Sequence, residues 1–506
     1  MVLTLAAAVL YTGIACLLYF LSYIAFNLFF HPLAQYPGPL LWRAFRLPMV
    51  IRMVSGDLPY HVKHWHEQYG PVVRTAPDEL SFTHPAAWRD IYPQNFLRPR
   101  EYKDKPPGKD AENFISASEA DHARFRKILA PAFSDKAVHE QEPMINSYID
   151  TLMDRLHQAI GGSKSKAEAV VDLLPWFNYA FFDIIGDYIW GSSFGCLEQV
   201  REHPWIQVIA QFKVTVFVGC LKYYPPLDRL LQAITPKSAM ADLWMIWRTT
   251  EDKISRRLAD PAHRDRDVMS HILAANQSSA SPHMTRDEIE INSMLLVIAG
   301  SESTTTVLLG IVNHLLRNPA KLTVLTREIR SQFAREDAIT GTSLAKLPYL
   351  NAVFHEGLRL CPPFADGFRR VVPNGGAAVA GRYLPAGTVV SIPQWAAYSS
   401  PDNFYEPASF SPERWLSKSL DSSSPYAQDK RDVFNPFLLG PHNCPGRSLA
   451  YLESRLMLAK LVWHFDMTAD SLPVWEDQRI YWFWEKQPMK VRIRSRTVST
   501  VQDSQD

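Results

Sequence analysis

The feature that most constrains the fold is a long helix predicted in the second half of the chain. Thr285 and Glu288 have the spacing of a capping box, which marks a helix start. Periodic apolar residues follow from Ile289 to Leu316, and Asn318-Pro319 ends the pattern. A helix of about 33 residues is about 50 Å long, enough to cross a whole domain. We therefore expect a mainly α body organised around this helix.

A cysteine lies at the start of another predicted helix. Cys444 precedes the helical run Arg447 to Glu453, where unpaired backbone N–H groups and the helix dipole favour a thiolate. Gly440 and Gly446 allow positive φ and leave no Cβ against a flat prosthetic group. His442 can give a hydrogen bond or a positive charge to an anionic edge of that group. The pattern suits an iron porphyrin, and the alternative is a structural cysteine in a tight turn.

The long helix has a weak point near its middle. Gly300 costs about 1 kcal/mol in a helix interior, and the β-branched residues that follow it crowd the helix. Ala299 and Gly300 would let a flat ligand and dioxygen approach the backbone. Glu302, with the hydroxyls of Ser303 and Thr304, can pass protons to a reduced oxygen. The alternative is a kinked helix with an exposed acid.

Two motifs resemble those of the cytochrome P450 superfamily of haem-thiolate monooxygenases. The stretch Phe437 to Gly446 resembles its haem-binding loop F-x-x-G-x-R-x-C-x-G, with His442 where arginine is usual. The stretch Ala299 to Thr304 resembles its A-G-x-D/E-T-T segment, with Ser303 at the usual threonine position. Serine keeps the hydroxyl but is less restrained about χ1 than threonine. Chemistry that does not need the usual proton relay therefore stays open.

Two further motifs follow in the order of the same family. Glu356 and Arg359 match its E-x-x-R pair, and Pro407 to Trp415 resembles its second-arginine motif. The resemblance implies that Arg414 packs onto that pair in a buried Arg–Glu–Arg network with a structural role.

The resemblance also implies a cofactor and its ligands. The cofactor would be haem b, with the Cys444 thiolate as the axial ligand of the iron. His122 and Arg126 share one helix face, where they would bind a propionate, with His122 in place of the family's tryptophan. The predicted cofactor-binding residues are His122, Arg126, Arg370, Phe437, His442, Cys444 and Gly446, and the predicted catalytic residues are Glu302, Ser303 and Thr304.

The N-terminus predicts a membrane anchor. No Lys, Arg, Asp or Glu precedes Arg43, and residues 2–30 are almost continuously apolar, whereas about 20 such residues can span a bilayer. A cleaved signal peptide is the alternative, but the run is long and lacks a basic start. Arg43, Arg46 and Arg52 follow it, so the positive-inside rule places the body in the cytosol. With the resemblance to microsomal members, this predicts a single-pass protein of the endoplasmic reticulum membrane.

These observations divide the chain into four parts. Residues 1–30 form the N-terminal membrane anchor, and residues 31–42 form a proline-rich hinge. Residues 43–495 form a single haem-thiolate catalytic domain, mainly α with a smaller β portion as in the cytochrome P450 fold. Residues 496–506 form a polar tail.

Charge and cysteine usage limit the partners. The 53 basic and 52 acidic residues leave a net charge of +1 without a basic stripe, which argues against nucleic acid. The five cysteines are scattered and predict neither a disulfide framework nor a zinc site. The chain has no dinucleotide fingerprint, so electrons must come from another protein. The resemblance implies a membrane-bound NADPH-cytochrome reductase, with cytochrome b5 as a second candidate.

The expected reaction inserts one atom of dioxygen into an apolar small molecule. The hinge, His122 and the loop around Cys444 look most like filamentous-fungal members, which implies oxidation of a secondary-metabolite intermediate. Desaturation, ring expansion or rearrangement at the same haem is an alternative. A haem sensor without enzymatic activity is another. A membrane-anchored serine hydrolase is a distant one, because Gly191 to Gly195 matches the G-x-S-x-G elbow around Ser193, although its upstream context predicts a helix.

Several segments carry expectations about local structure. A helix is predicted from Ser343 to Cys361, and a sheet with a hairpin at Asn374-Gly375-Gly376. The apolar run from Val208 to Leu227 is a substrate-channel lid, a second membrane contact or a core helix. The segments expected to contact substrate are the loop around Phe114 and Ile115, Phe364 to Phe368, and Trp482 to Trp484.

Overall fold

The fold is described from a computed structural model of the full chain. It describes residues 2–496 except 95, 100–101, 103–108, 166, 211, 235–240, 261–265 and 279–281.

Helices dominate the first half of the chain. In chain order they are α1 Val2–Ala25, α2 Leu40–Ala44, α3 Leu47–Ser55, α4 Leu58–Tyr69, α5 Ala86–Ile91, α6 Glu119–Leu129, α7 Asp135–Glu140, α8 Glu142–Gly161, α9 Leu173–Trp190, α10 Cys196–Gln199, α11 Pro204–Ala210, α12 Phe212–Leu221, α13 Pro225–Ile234 and α14 Ala241–Ala259.

The second half contains the predicted long helix and the helix that follows Cys444. Its helices are α15 Val268–Gln277, α16 Arg286–Arg317, α17 Pro319–Gln332, α18 Gly341–Leu344, α19 Pro348–Leu360, α20 Gln394–Tyr398 and α21 Arg447–His464. Helix α16 has 32 residues, and both hydrogen bonds of the Thr285–Glu288 capping box form at its start. The sequence prediction of this helix is confirmed.

The β portion is small and lies in four sheets. Its strands are β1 Val72–Ala76, β2 Glu79–Phe82, β3 Glu168–Asp172, β4 Arg370–Val371, β5 Ala377–Val379, β6 Arg382–Leu384, β7 Val389–Ser391, β8 Phe465–Ser471, β9 Ile480–Tyr481, β10 Phe483–Trp484 and β11 Lys490–Ser495. The largest sheet has the order β1-β2-β7-β4, and β2 and β7 pair in parallel. The other sheets are β3-β11-β8, β5-β6 and β9-β10.

Helix α16 is central to the core. Its second half is buried almost continuously from Thr304 to Leu316, and its first half packs along α9. Gly300 lies at this crossing, where an added Cβ would lie 2.7 Å from Cδ1 of Ile185 in α9. The glycine is therefore required for close packing of the two helices. The sequence predicts that the missing side chain admits a ligand, whereas in the structure the space is filled by Ile185.

The N-terminal helix is long and apolar enough to cross a membrane. The candidate span covers Ala7–Phe30 with a mean hydropathy of 1.9, and none of its most apolar window is buried. Its last five residues, Phe26–Phe30, form a π-helical turn. Helix α16 passes the same test of length and composition but is mostly buried, as expected for a core helix.

The proline-rich segment is packed against the first sheet. Arg74 of β1 is fully buried and donates hydrogen bonds to the backbone oxygens of Asn27 and Pro77. Its backbone N–H donates to the oxygen of Pro37 at 2.7 Å. A Cβ on Gly38 would lie 2.3 Å from the backbone oxygen of Arg74. Only glycine permits this approach of the two backbones.

The predicted Arg–Glu–Arg network forms on α19. Arg359 donates to both carboxylate oxygens of Glu356, at 2.9 and 2.7 Å, and Arg414 donates to Oε1 of Glu356 at 3.2 Å. All three side chains are fully buried. Asp429, which the sequence did not indicate, accepts from Arg414 at 2.6 Å. The network joins α19 to two later loops.

One predicted helix is wrong. The helix expected from Ser343 to Cys361 is interrupted, because α18 ends at Leu344 and α19 begins at Pro348, which is favoured in the first turn of a helix. Strand β11 ends at Ser495, and the Arg496 backbone donates to the oxygen of His464. The rest of the predicted 496–506 tail lies outside the described residues.

Candidate haem site

The loop before α21 presents Cys444 to an internal space. The Cys444 backbone N–H donates to the oxygen of Phe437 at 2.8 Å, which closes the loop. The Phe437 ring packs on Tyr451 of α21 with centroids 5.3 Å apart. The Cys444 side chain has accessible surface, and yet burial raises the pKa of its thiol. A thiol that is accessible and also surrounded by protein atoms suits a ligand to a bound prosthetic group.

The two glycines of the loop have different roles. Gly440 has φ +73°, and a Cβ there would lie 2.6 Å from both the Tyr92 oxygen and Cα of Pro93. Gly446 has φ −80°, so positive φ is not its function, contrary to the sequence prediction. The nearest atom to a Cβ on Gly446 is the Cys444 sulfur, at 3.9 Å. Space beside the sulfur is therefore kept open at Gly446.

The helix start does not by itself favour a Cys444 thiolate. Burial raises the pKa of the thiol, and this effect exceeds the opposite effects of the Gly446 backbone N–H and of Arg126. The sequence prediction of a thiolate favoured by the turn alone is wrong. A metal ion removes the proton from a thiol that coordinates it. Whether Cys444 is a thiol or a thiolate therefore depends on whether a metal ion binds at this loop.

Arg126 joins α6 to the Cys444 loop. It donates to the backbone oxygen of Asn443 at 2.6 Å and to its side-chain oxygen at 2.5 Å. Helix α6 begins at Glu119, with Ser118 as its N-cap. His122 and Arg126 lie on the face of α6 directed at the loop, as their spacing predicts.

His442 has both ring nitrogens occupied within the protein. Its Nδ1 accepts from Arg98 at 2.7 Å, and its Nε2 lies 3.0 Å from a carboxylate oxygen of Glu119. This pairing fixes the neutral tautomer with the proton on Nε2. Burial, then Arg98, lowers the pKa of His442 to about 3, so it does not supply the positive charge that the sequence analysis considered.

Arg98 is a site residue that the sequence analysis missed. It is 7% exposed and donates to the backbone oxygens of Phe114, Ile115 and Ala117 as well as to His442. Its guanidinium contacts His442, the residue that stands where the family loop usually carries arginine. No local motif marks Arg98, because its partner His442 is 344 residues away in the sequence.

His122 has a buried nitrogen without a partner. Its Nε2 makes no hydrogen bond in the described structure, although the residue is only 3% exposed. Its ring lies 4.2 Å from that of His442 and 4.4 Å from that of Phe114, between centroids. Burial, then His442 and Arg98, lowers the pKa of His122 to about 3. A buried nitrogen without a partner is costly, so this one is positioned for a bound group.

Basic residues from separate segments surround the same space. Arg98, Arg126 and Arg370 all act electrostatically on His442. Arg370 is 5% exposed and donates to its neighbour's backbone oxygen at 2.9 Å. Among the described residues, Glu119 is the one carboxylate hydrogen-bonded to this set. The three arginines outnumber this carboxylate, and the two propionates of haem b would balance their remaining charge. The residues present thus fit haem b, with Cys444 as its metal ligand.

The hydroxyls in the middle of α16 bond mainly to their own helix. Ser303 donates to the oxygen of Ala299 at 2.5 Å, and Thr304 Oγ1 lies 3.0 Å from the oxygen of Gly300. Thr304 is buried and also contacts Glu453 of α21 at 2.7 Å. The two hydroxyls therefore point to different partners and do not form one chain with Glu302.

Glu302 lies at a cleft on the surface of the protein. It forms an ion pair with Lys486, whose Nζ is also 3.4 Å from Thr306 Oγ1. The cleft has a volume of about 200 Å³, and its lining includes Glu202 and Glu485. Lys486 gave no signal in the sequence, because it lies 184 residues after Glu302. The predicted proton donor thus has a solvent connection and a cationic partner.

The expected substrate-contacting aromatics form one cluster. Phe364 lies 4.9 Å from Phe368 and 4.8 Å from Phe483, between ring centroids, and the Trp482 ring completes the group. Trp482 forms the turn between β9 and β10 with φ +74°, a left-handed conformation rare for a bulky residue. Trp484 is different, since its ring packs against Trp475 and its Nε1 donates to the Pro362 oxygen.

The structure does not support a hydrolase site at Ser193. A nucleophile elbow follows a strand, whereas Gly191 here ends helix α9. Ser193 Oγ accepts from the Gly195 backbone at 3.2 Å, and none of its described hydrogen bonds is to a histidine. The general base that a serine nucleophile needs is not provided by the described residues.

Comparisons with known proteins match almost the whole chain. The profile of the family described as Cytochrome P450 matches residues 34–480. Averantin hydroxylase of Aspergillus parasiticus is 38% identical, with 94% of this chain and 95% of that protein covered. The cytochrome P450 monooxygenases atr2 of Stereocaulon alpinum and stcF of Emericella nidulans are each 38% identical, covering 93% and 95% of this chain and 92% and 98% of their own lengths. The haem b cofactor and its cysteine thiolate ligand are properties of that family, and the chain is an oxidoreductase enzyme that belongs to the cytochrome P450 family.

Proposed function

We propose that this protein is a membrane-anchored monooxygenase that inserts one atom of dioxygen into an apolar intermediate of fungal secondary metabolism. The observation that carries the proposal is the contact of the Cys444 loop with a cluster in which three arginines, Arg98, Arg126 and Arg370, outnumber the one hydrogen-bonded carboxylate. A thiolate-ligated haem supplies the reductive activation of dioxygen when it is bound there. Cys444 would ligate the iron, and Phe437 and Gly446 would border it.

The basic residues would hold the propionates in distinct ways. Arg126 and Arg370 offer charged donors, and His122 offers its free Nε2. His442 acts through Arg98, because neither of its own nitrogens is free. Charge-assisted hydrogen bonds of this kind are stronger than neutral ones and fix the plane of the ligand.

Glu302 would bring protons from solvent to the site. Its carboxylate lies at the surface cleft and is paired with Lys486, so it can exchange protons with water there. The hydroxyl of the next residue, Ser303, donates a hydrogen bond to the backbone oxygen of Ala299. Transfer beyond Glu302 would therefore need Ser303 to turn about χ1, which serine does more easily than threonine.

The substrate would be an apolar, ring-containing molecule. The cluster of Phe364, Phe368, Trp482 and Phe483 offers aromatic faces for stacking. The similar averantin hydroxylase is named for a hydroxylation, which supports oxygen insertion here. The position of Ser303 keeps desaturation, ring expansion or rearrangement at the same haem as the second candidate reaction.

The partner would be an NADPH-dependent reductase, with cytochrome b5 as a second donor, at the cytosolic face of the endoplasmic reticulum. Beyond the Ala7–Phe30 span, α12 packs against α3, and exposed apolar side chains lie on these helices and on α13. They are Leu47, Ile51, Val214, Phe217, Val218, Leu227 and Leu230. This surface would rest on the bilayer beside the anchor, which favours the membrane-contact interpretation of the 208–227 run.

The carbon monoxide difference spectrum of the reduced protein tests the haem assignment. The wild type should show the red-shifted Soret band of a thiolate-ligated haem, and Cys444→Ala should lose it. Cys196→Ala removes a buried thiol from α10 and serves as the matched control, which should keep the band. A wild-type protein that folds without haem when haem is supplied would refute the proposal.

Product mass under labelled dioxygen separates the two candidate reactions. With purified reductase and NADPH, insertion gives a product that carries one atom of the label. Desaturation or rearrangement gives an unlabelled product from the same haem. Turnover without added reductase would contradict the proposed electron supply.

Membrane attachment is tested by flotation of the full chain and of a variant lacking residues 1–30. The full chain should resist extraction by alkaline carbonate. The truncated protein should be extracted but should still float with vesicles, because the apolar surface on α3 and α12 remains. Truncated protein that stays wholly in solution would exclude that surface as a membrane contact.

A further inference from the structure

Glu453 is a carboxyl buried between the two helices that carry the proposed site. It lies two turns into α21, after Cys444, and is 3% exposed. Its described hydrogen-bond partner is the hydroxyl of Thr304 in α16, at 2.7 Å. The buried Glu356 forms ion pairs with Arg359 and Arg414. In the part of the chain that the structure describes, no ion pair involves Glu453. An ionised carboxylate in such surroundings is unfavourable.

The hydrogen bonds around Thr304 show where the carboxyl proton lies. Thr304 Oγ1 is 3.0 Å from the backbone oxygen of Gly300 and 2.7 Å from Oε1 of Glu453. A hydroxyl donates one hydrogen, and a backbone oxygen can only accept. If Thr304 donates to Gly300, the hydrogen in the shorter contact must come from Glu453. The length of that contact is typical of an O–H···O hydrogen bond.

The electrostatic surroundings agree with a protonated carboxyl. Burial raises the pKa of Glu453 to about 8, and the contact with the Thr304 hydroxyl opposes this only in part. Among the described residues, Glu453 acts electrostatically on Tyr188 of α9. The pKa of Tyr188 is raised by its own burial and then by Glu453. Tyr188 donates to the oxygen of Ala132 and so does not neutralise the carboxyl.

We propose that Glu453 is a positioning residue whose protonated carboxyl donates to Thr304 and, through it, holds the Gly300 carbonyl. This contact fixes the weak middle of α16 to the helix that begins beside Cys444. Ala299 and Ser303, one residue from Gly300 and Thr304, keep their orientation as a result. The inference rests on the proposed function, because α16 carries the predicted catalytic residues and α21 follows the proposed metal ligand Cys444.

The consequence for the reaction is control of where protons are delivered. With Thr304 held by Glu453, the hydroxyl free to turn towards the site is that of Ser303. Loss of the Glu453 donor would release Thr304 and let the α16 backbone relax around Gly300. Electrons would then be lost to peroxide more often, while the haem ligand itself would be unchanged.

The first test is the infrared carbonyl-stretch region of the haem-loaded full chain. A difference spectrum between wild type and Glu453→Gln should show a protonated carboxyl band at pH 7. The difference is needed because burial also raises the pKa of Asp183 and Asp366. Thr304→Val should shift the band, and raising the pH well above 8 should remove it. A missing band at pH 7, or a band that Thr304→Val does not shift, would overturn the inference.

The second test compares two substitutions of Glu453. Glu453→Gln keeps a donor for Thr304 and should retain the ratio of product to NADPH consumed. Glu453→Ala removes the donor and should raise peroxide release severalfold, with an unchanged carbon monoxide spectrum. Equal ratios in the two variants would refute the positioning role. Should the alanine variant fail to fold, Thr304→Val breaks the same contact and gives the same comparison.

These measurements also separate this inference from the proposed function. A wild-type protein without a thiolate-type carbon monoxide spectrum refutes the monooxygenase itself. A normal spectrum and normal turnover together with an ionised Glu453 refutes only the role of the carboxyl.

Discussion

Arg98 donates a hydrogen bond of 2.7 Å to Nδ1 of His442, across 344 residues of sequence. The pair places a guanidinium beside the loop position where the family usually has arginine, and His442 is the acceptor that orients it. A histidine at this position is therefore accompanied by a positive charge from the segment before α6.

The first prediction is that the usual arginine is harmful at position 442. His442→Arg should bring two guanidiniums together and speed the loss of haem to an acceptor protein. The change should be about tenfold, since a hydrogen bond to a charged group contributes roughly 1.5–3 kcal/mol. Adding Arg98→Gln to His442→Arg should restore slow loss. Haem retention in the single variant equal to wild type would show that Arg98 does not occupy this place.

The second prediction contrasts the two loop glycines. Gly440→Ala should lower the thermal midpoint of both haem-free and haem-loaded protein, because its Cβ meets the backbone of Tyr92 and Pro93 and its φ is +73°. Gly446→Ala should leave the haem-free midpoint unchanged, since its Cβ meets only the Cys444 sulfur at 3.9 Å. It should nevertheless reduce haem content. Full haem content in Gly446→Ala would mean that the cofactor does not lie against this residue.

The third prediction concerns the Glu302–Lys486 ion pair. Glu302→Gln should slow product formation by at least about tenfold and increase the solvent isotope effect, because general acid groups contribute on that scale or more. Lys486→Gln should have a smaller effect in the same direction. Glu485→Gln, at the same cleft, is the control and should behave as wild type. Unchanged turnover in Glu302→Gln would remove Glu302 from proton delivery.

The fourth prediction concerns stability. Glu356→Gln leaves Arg359 and Arg414 fully buried without their shared carboxylate, and should cost about 3–5 kcal/mol in the free energy of unfolding. Asp337→Asn breaks an exposed pair with Arg335 and should change it by less than about 0.5 kcal/mol. Urea unfolding of the two variants measures both. Similar losses would mean that the buried network has no special role.

The fifth prediction concerns acid stability. His314 is buried and stacks on Phe410, and burial lowers its pKa to about 4 from 6.5. Between these values the unfolded chain binds a proton that the folded protein does not, so the free energy of unfolding falls as the pH falls. The slope for this residue is at most about 1.4 kcal/mol per pH unit.

His314→Gln should flatten that dependence between pH 6.5 and 4. Above pH 7.5 neither state binds the proton, so the difference between variant and wild type should there be constant. Parallel curves over the whole range would show that His314 is not buried in its neutral form.

The parts of the fold that depend on local spacing could be predicted from the sequence. The Thr285–Glu288 capping box and the apolar period defined α16 within two residues. The Glu356–Arg359 pair lies one helical turn apart, so its contact follows from the helix itself. Proline is favoured in the first turn of a helix, so Pro348 also indicated the start of α19. The apolar pattern continues across this point and led to the prediction of one helix.

The parts that depend on distant partners could not be predicted. Arg98, Asp429, Glu453 and Lys486 take their roles from side chains that other elements bring to them. Burial was equally hidden, and it reverses the expectation for Cys444, since desolvation of the thiol outweighs the effects of the Gly446 N–H and of Arg126. A motif identifies the ligand, but the rest of the chain determines its protonation.

The buried side chain of Arg74 has a consequence for how the enzyme sits in its membrane. The Arg74 guanidinium donates hydrogen bonds to the backbone oxygen of Asn27, at the end of the apolar span, and to that of Pro77, after its own strand. The Asn27 side chain in turn donates to the oxygen of Ala44 at 3.0 Å. These hydrogen bonds join the end of the apolar helix to the body, so that with α1 in a bilayer a change in its tilt would turn the body as well. A thicker or thinner bilayer would change which part of the body faces the lipid, and with it the depth from which an oily substrate is drawn.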